Sequence, residues 1–472
     1  MKPLTMPAVD ISAAADEPPR TSHKRAWYSL GVLTIVTLIA FMDRNILLLQ
    51  AEVIRKALSL SDLQLGLLQG TAVAAFAALA TYPLGWLADR YDRRLVLAGC
   101  ALFWSAAVVA CGMAQTYPQL LLASALVGAG EAGLVPISYA MIPDMFSARK
   151  RQIANSVFAL ASMSAGSLAM ALCGQVIGMV DGLRSGLPPS LQLLEAWRLG
   201  FFAVALPGPL LVLLIATISL RRQADKSATQ AMTDKPQSLA ALGITVAALL
   251  PHLNAHRKTF LYFTGGMFSA LFGFSAIGGW LAVIYLRNFG VSSQQLGAAM
   301  GVIALVAVLI GFPVSVYGTR YFRERIGTGV NIRSLWLTCV FAVIAIAAMV
   351  FATSSTQMFA IHGAYLVTLT AALLVYPTTL QALAPSRLRA RTVALVGMVA
   401  SAGGAIAPPV TGFVSDHVKD WSNGLMISAA MVSIPALSLA VFLLARSEKH
   451  YLITAEASRL ADDAEMARSN AA

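Results

Sequence analysis

The chain has 472 residues, of which 58% are hydrophobic and 12% are charged, whereas a typical soluble domain carries about 25% charged residues. This composition excludes a water-soluble globular protein, and the recurrence of apolar stretches along the whole length excludes a single anchored domain. The formal net charge of +12 does not indicate binding to nucleic acid, because the lysines and arginines are concentrated in alternate loops.

Twelve apolar segments each approach the roughly 20 residues that a helix needs to cross a membrane. We therefore predict an all-α membrane protein with 12 transmembrane helices in two six-helix halves. The predicted spans lie at about 27–51, 65–88, 95–114, 119–143, 153–178, 199–220, 260–286, 294–318, 334–354, 357–383, 391–414 and 424–445. Because lysine and arginine favour cytoplasmic loops, their alternation predicts a multi-pass protein of a cell inner membrane with both termini in the cytoplasm.

Two adjacent charged residues, Asp43 and Arg44, interrupt the first predicted helix. A charge inside the membrane costs about 2.5–3.5 kcal/mol on insertion scales, so such a residue normally has a function. The alternative is a mutually neutralising pair that only positions the helix. Adjacent helical residues point about 100° apart, however, so the two side chains cannot both be satisfied simply by pairing with each other.

The second predicted helix ends in the segment GWLADRYDRR at 85–94. We expect its Asp89 to accept hydrogen bonds from the positive N-terminus of the eleventh predicted helix, near Arg391, and so to latch a cytoplasmic gate. The equivalent region of the second half, 317–325, has no acid at the matching place, which predicts a one-sided latch. The alternative is an ordinary basic loop. The residues assigned to gating are Asp89, Arg90, Arg93, Arg94, Asp144, Arg149 and Arg151.

A further intramembrane acid, Glu131, lies in the glycine-rich segment 128–133 of the fourth predicted helix. That helix runs toward the cytoplasm, so at about 1.5 Å per residue Glu131 reaches the depth of Asp43 and Arg44. A cluster of Arg44 with both acids is therefore predicted, with a structural ion pair as the alternative. Burial raises the pKa of a carboxyl and a nearby arginine lowers it, so a conformational change can couple proton binding to transport.

Local signals recur in the two halves at a nearly constant spacing. SDLQLG at 61–66, followed by Gly70, is echoed by SSQQLG at 292–297, followed by Gly301. Both resemble a capping box that opens a helix and then places two glycines one turn apart. Such a repeat predicts a substrate site near the membrane midplane, between the halves. The predicted parts are a tail 1–26, a bundle 27–220, a cytoplasmic linker 221–258 with a short surface helix at 239–250, a bundle 259–445 and a tail 446–472.

The second half offers a more apolar surface. Its first predicted helix carries six aromatic residues and five glycines between 262 and 280, which indicates a flexible apolar wall, although plain helix packing is the alternative for each of them. Tyr365 and Thr370 of the tenth predicted helix, with Gln69 of the second, are predicted to face the cavity. The sequence shows no nucleotide-binding P-loop, no metal constellation and no clustered nucleophile, so we expect no enzyme activity, no cofactor and no metal.

Five segments of the first half share a pattern with a known family. They are FMDR at 41–44, LSD at 60–62, GWLADRYDRR at 85–94, GAGEA at 128–132 and IPDMF at 142–146. Together they resemble the Spinster branch of the major facilitator superfamily, densely over the first half and loosely over the second. The resemblance implies the major facilitator fold, the export of sphingolipid phosphates or lysolipids, and a polar cluster of Asp43, Arg44 and Glu131. One departure is Ser124, where relatives often carry an arginine, so that an anionic headgroup would depend on Arg44 alone in this half.

The sequence therefore predicts a proton-coupled secondary transporter that moves an amphipathic anionic lipid-like molecule, of lysolipid or sphingolipid type, by alternating access. Asp43 and Glu131 would exchange protons. The predicted substrate contacts are Arg44, Glu131, Gln69, Tyr365 and Thr370. A proton symporter of a small organic anion or sugar acid is the first alternative, favoured by a wholly polar cavity with a second cation facing Arg44. A lipid scramblase or membrane enzyme without alternating access is the second. We expect a monomer among membrane lipids, without nucleic acid.

Overall fold

The computed structural model describes residues 23–219, 249–418 and 423–471, and all regular secondary structure within them is helical. The predicted N-terminal tail lies almost wholly outside these residues, as does the predicted surface helix at 239–250 except for its last two positions. A short helix, Leu250–Ala255, is described directly after it.

Twelve of the described helical segments are long and apolar enough to cross a membrane, which confirms the predicted number. They are α1 His23–Ala57, α2 Asp62–Arg90, α3 Arg93–Met113, α4 Tyr117–Met145, α5 Ala148–Leu183, α6 Ala196–Ala216, α7 Arg257–Asn288, α8 Ser293–Ile326, α9 Val330–Val350, α10 Ser355–Gln381, α11 Ser386–His417 and α12 Gly424–Ala471. The last helix continues through the predicted C-terminal tail.

Four of these helices change their winding partway along their length. α2 contains a π-helical turn at Leu67–Thr71, α4 is interrupted directly after Glu131, α6 directly after Ala205, and α7 at Gly279 and Trp280. Such irregularities leave backbone groups without their usual helical partners and are tolerated at membrane depth where the chain is buried or lines a cavity. They mark the part of the bundle where a site is to be sought.

The repeated serine motif opens two helices, as the sequence predicts. The Ser61 hydroxyl accepts a hydrogen bond from the Gln64 backbone, and the Gln64 side chain accepts one from the Ser61 backbone at 3.0 Å, so the capping box of α2 is complete. At α8 only the first of these bonds forms, from the Gln295 backbone to the Ser292 hydroxyl.

The repeated glycines let the two halves approach closely, α2 against α11 and α5 against α8. A Cβ on Gly66 would lie 2.5 Å from the Pro408 carbonyl oxygen, and a Cβ on Gly297 would lie 2.7 Å from the Gly174 Cα atom. Any larger side chain would push these helices apart. These contacts lie toward the end of the bundle where α2 and α8 begin, which we call the closed end.

The opposite end, where the described chain begins and finishes, is separated between the halves, and we call it the open end. A Cβ on Gly166 of α5 or Gly85 of α2 would meet no described atom within 4 Å, although Gly174 and Gly70 on the same helices touch the other half. The halves therefore form a V that closes at one end.

Candidate functional site

A cavity of about 440 Å³ lies between the halves, enclosed by α1, α2, α3, α4 and α6 on one side and α7 and α11 on the other. Its charged lining residues are Asp43, Arg44 and Glu131, all from the first half. The second half lines it with leucine, serine, alanine, proline and glycine, including Leu271 and Pro408. One wall is therefore ionic and the other is mainly apolar.

Asp43 is buried and Glu131 is partly buried, and neither acid forms an ion pair with a described residue. Neither oxygen of the Asp43 carboxylate has a hydrogen-bond partner among the described residues, and neither does Oε1 of Glu131. Asp43 lies on the unbroken part of α1, and Glu131 is the last residue before the interruption of α4. An unpaired buried carboxylate is costly, and a proton removes that cost.

Arg44 lies beside these acids but is paired with neither. Its side chain is exposed to the cavity and makes no hydrogen bond or ion pair with any described residue. A neutralising ion pair between Asp43 and Arg44, the alternative that the sequence left open, is therefore not formed in this conformation. A cation without a partner on the wall of a cavity can bind an anion there.

Three further polar residues line this wall, namely Asn45 of α1, Gln69 and Ser124. Gln69 lies in the π-helical turn of α2, lines the cavity as predicted, and has both its side-chain nitrogen and oxygen buried without a partner. Ser124 of α4 also lines the cavity. The described lining residues include no second cation.

Tyr365 and Thr370, the other predicted substrate contacts, are not among the described residues that line this cavity. Both are buried: Tyr365 lies among the rings of Phe274 and His362, and Thr370 packs against the close-approach glycine Gly311 of α8. Helical phase alone could not distinguish a face of α10 that points to the cavity from one that packs on its neighbours.

An ion network that the sequence analysis did not predict joins the halves at the closed end. Arg287, at the end of α7, donates to Glu52 of α1 at 2.8 and 3.2 Å and to Asp62 of α2 at 2.8 and 2.9 Å. Arg55 adds a bond of 2.9 Å to Glu52 and lies 3.9 Å from Asp62. The two acid side chains are each 6% exposed.

The second half also caps the first turn of α2. The backbone N–H groups of Asp62 and Leu63 donate to the Asp416 carboxylate of α11 at 2.9 and 3.0 Å, and the Ser415 hydroxyl donates to Asp62 at 2.7 Å. A carboxylate at a helix N-terminus satisfies its free N–H groups and its positive dipole end. Opening the closed end must break this cap together with the Arg287 network.

At the open end, the predicted latch residue Asp89 is free of the second half. Its side chain is 80% exposed, and its ion-pair partner is Arg93 of its own half at 3.9 Å. Arg93 in turn binds Asp144 at 2.7 Å and the Ala140 carbonyl at 2.9 Å, so it ties α3 to α4 within the first half. The predicted contact from Asp89 to α11 is not formed in this conformation, because the open end separates the halves.

The other predicted gating residues also make local contacts. Arg94 donates to Asp92 at 2.6 Å, and this hydrogen bond lowers the pKa of the Asp92 carboxyl from its ordinary value. Arg90 lies over an indole ring of its own helix, and the Nε of Arg151 is buried without a described partner. The side chain of Arg149 lies outside the described part of the structure.

The N-terminus of α11, the predicted receptor of the latch, already has a carboxylate bound to it. The Ser386 N–H donates to Asp462 at 2.7 Å, and Arg389 binds the same carboxylate at 2.8 Å. Asp462 lies on the continuation of α12, which the sequence analysis treated only as a tail. An acid three residues from Arg459 does not by itself indicate a contact with α11, so the sequence does not predict this cap.

Comparison with known proteins identifies relatives of this architecture. A sequence model of the Major Facilitator Superfamily matches residues 33–388. An MFS-type efflux pump of Mycolicibacterium smegmatis is 30% identical over 38% of this chain and 42% of its own length. Protein spinster of Drosophila melanogaster is 24% identical over 68% of this chain and 50% of its own length. The sphingosine-1-phosphate transporter SPNS2 of Danio rerio is 33% identical over 28% of this chain and 26% of its own length. These three matches each span half or less of the relative's own length.

Solved structures match nearly the whole fold. A bacterial homologue of the human lysosomal transporter Spinster, crystallised in an inward-facing and unoccupied conformation, matches 94% of this chain and 99% of its own with a TM-score of 0.71 and 23% sequence identity. At this identity the likeness shows the fold. The predicted major facilitator fold is confirmed, and so is the predicted resemblance to Spinster proteins.

Proposed function

The chain is a membrane transporter of the major facilitator superfamily, and on that premise we propose that it moves an amphipathic anionic lipid-like molecule by alternating access, coupled to protons. Membership of this family also confirms the prediction that the chain is not an enzyme. The observation that carries the proposal is the division of the central cavity into an ionic wall with an unpaired Arg44 and a mainly apolar wall.

The two walls fit the two ends of an amphiphile. Arg44 presents a planar cation that can bind a phosphate or carboxylate headgroup through two parallel hydrogen bonds. The apolar wall from α7 and α11 can take up part of a hydrocarbon chain, whose transfer from water is favourable in proportion to the area buried. A relative over part of the chain, SPNS2, is named as a transporter of sphingosine-1-phosphate, which has this chemistry.

The same walls disfavour a small, fully polar anion. A sugar acid would need polar partners around its whole surface, but among the described lining residues the second half offers two hydroxyls, those of Ser275 and Ser401. A second cation opposite Arg44 would have favoured that alternative, and the described lining has none. Ser124, the position where the resemblance to Spinster proteins implies an arginine, contributes a neutral hydroxyl to this lining.

Proton coupling is supported by the two unpaired acids. Asp43 and Glu131 line the cavity that also holds the unpaired Arg44, so an anion that binds Arg44 enters the electrostatic field of both carboxyls. Protonation of an acid lowers its repulsion of an anionic substrate, and loss of substrate favours loss of the proton. Binding of the anion and binding of the proton therefore support each other.

The V shape supports alternating access. In the opposite state the Arg287 network and the Asp416 cap would break at the closed end, and Asp89 would approach the N-terminus of α11 at the open end. Basic residues concentrate at the open end, including Arg90, Arg93 and Arg94, so the positive-inside rule assigns that end to the cytoplasm. We accordingly propose an inward-facing state in a cell inner membrane, with both termini cytoplasmic.

The first test is thermal stabilisation of the purified protein by candidate ligands, since a ligand that binds only the folded state raises the melting temperature, and at equal concentration a tighter ligand raises it more. Sphingosine-1-phosphate and a lysophospholipid are compared with a sugar acid and a dicarboxylate. We expect stabilisation by the amphiphiles alone, and a loss of that stabilisation in Arg44→Ala.

Arg320→Ala provides the matched control, because it removes one arginine that is exposed at the open end of α8 and lines no part of the cavity. This variant should be stabilised as well as the unaltered protein. Stabilisation by the small polar anions alone, lost in Arg44→Ala, would replace the lipid proposal by the organic-anion symporter.

A further inference from the structure

A second groove, separate from the central cavity, lies between the first turns of α7 and residues 395–399 in the first half of α11, at the open end. It encloses about 810 Å³ and shares no lining residue with the central cavity. Its deeper lining is apolar and includes Leu261, Gly265, Val396 and Val399. No described residue of this lining is acidic.

Cations lie at the outer end of this groove. Arg257 and Lys258 are the first two residues of α7, line the groove, and are exposed without an ion pair or hydrogen bond to any described residue. Arg446 of α12 lies over Tyr262, another lining residue, with its guanidinium 5.8 Å from the ring centre. The order along α7 is thus two cations at the end of the span, followed by apolar residues toward its middle.

The depth of this arrangement matches one leaflet of a bilayer. From Arg257 to Gly265 the helix rises by about 12 Å at 1.5 Å per residue, which carries the groove from the headgroup region into the acyl chains. Leu261 is 70% exposed within this stretch, as expected for a side chain that contacts lipid. Unpaired lysine and arginine at this depth attract anionic lipid.

We propose that this groove binds an anionic phospholipid of the leaflet at the open end, with its headgroup on Arg257 and Lys258 and one acyl chain along Leu261, Gly265 and Val399. The bound lipid spans α7 and α11, which both line the central cavity through other residues. It is a resident lipid and not the transported substrate, so the site is independent of Arg44.

The test is native mass spectrometry of the detergent-purified protein titrated with phosphatidylglycerol or phosphatidylcholine. Two cations at the membrane surface predict that Arg257→Ala/Lys258→Ala weakens phosphatidylglycerol binding by roughly 10- to 30-fold and leaves phosphatidylcholine binding unchanged. The matched control Arg320→Ala/Arg323→Ala removes two exposed arginines from the same end of α8 and should bind like the unaltered protein.

The acyl-chain half of the proposal is tested separately with Gly265→Leu. A Cβ there has room, with its nearest contact 3.4 Å away at Leu443, so the backbone tolerates a side chain at this position and a leucine adds volume to the groove lining. We expect this variant to weaken binding of both phospholipids, and we expect glycerol phosphate, which has no chain, not to bind.

Any of three results would overturn the proposal. The Arg257→Ala/Lys258→Ala variant could bind phosphatidylglycerol as tightly as the unaltered protein, or the α8 control could lose as much phosphatidylglycerol affinity as that variant. Glycerol phosphate could also bind as strongly as the phospholipid. Arg44→Ala separates this site from the proposed function, because it should abolish substrate-induced stabilisation while phosphatidylglycerol binding persists.

Discussion

Replacing Arg287 with alanine removes the side chain that ties α7 to both Glu52 and Asp62 at the closed end. The four hydrogen bonds concerned are 2.8 to 3.2 Å long and cross from one half to the other. The variant should therefore destabilise the conformation described here relative to the state that is open at the other end, without unfolding either half.

The size of the effect follows from the burial of the acids. Removing one partner of a buried ion pair costs about 3–5 kcal/mol, because the remaining charge is left without compensation. Arg287 itself is 26% exposed, and Arg55 still neutralises part of the acid pair. Both facts lower the expected cost to about 2–3 kcal/mol, which is a shift of roughly 30- to 150-fold between the two conformations.

Electron–electron distance measurements on spin-labelled cysteines detect this shift. One label pair at Thr116 and Thr353 reports on the closed end, and a pair at Lys150 and Arg325 reports on the open end. The four native cysteines are buried free thiols, so they are replaced before labelling. In Arg287→Ala we expect longer distances at the closed end and shorter distances at the open end.

Arg333→Ala is the matched control, since Arg333 binds Glu448 at 2.7 Å within the second half and does not join the halves. Arg287→Lys should restore part of the distribution, because a lysine keeps the charge but cannot bind two carboxylates as a planar fork. Unchanged distances in a folded Arg287→Ala protein would refute the assignment of this network as a gate.

Three further predictions concern other parts of the same cycle. Gly174→Leu should also open the closed end in the distance measurement, since its Cβ would lie 2.9 Å from α8. Gly166 lies on the same helix, but a Cβ there meets no described atom, so Gly166→Leu should leave this conformation unchanged. Similar behaviour of the two variants would contradict the role given to the glycine contacts. Asp89→Asn should leave the melting temperature unchanged, because the side chain is 80% exposed. It should slow transport at least several-fold, because it weakens the state that is closed at the cytoplasmic end. A full transport rate would argue against a latch. Asp462→Ala should lower the local stability of the first turn of α11 by about 1 kcal/mol, the usual value of an N-terminal cap. The loss is measured as faster amide hydrogen exchange at Ser386. Unchanged exchange there would show that the cap contributes nothing to stability.

The sequence predicts the spans and the ionic cluster well because both follow from the cost of the membrane environment. Apolar length defines a span, and an unneutralised charge within a span is too costly to occur without a function. Asp43, Arg44 and Glu131 could therefore be placed together from helix direction and depth alone. The glycine repeats were also informative, because close helix approach requires small residues wherever the two halves meet.

The contacts between distant segments could not be predicted in the same way. Glu52 and Arg287 are 235 residues apart, and each lies near the end of a span, where a charge is common and carries no signal. Tyr365 and Thr370 were assigned to the cavity by helical phase, which does not say which neighbour a face meets. Asp462 reaches α11 only because α12 continues beyond the membrane, and no apolar pattern marks that continuation.

The most direct test of the central proposal is flux of radiolabelled sphingosine-1-phosphate in proteoliposomes with an imposed pH gradient. We predict protein-dependent flux that rises with the gradient, that is lost in Arg44→Ala, and that loses its pH dependence in Glu131→Gln while exchange without a gradient continues. Protein-dependent flux of this lipid that is indifferent to the gradient and to Arg44 would contradict proton-coupled alternating access through this cavity.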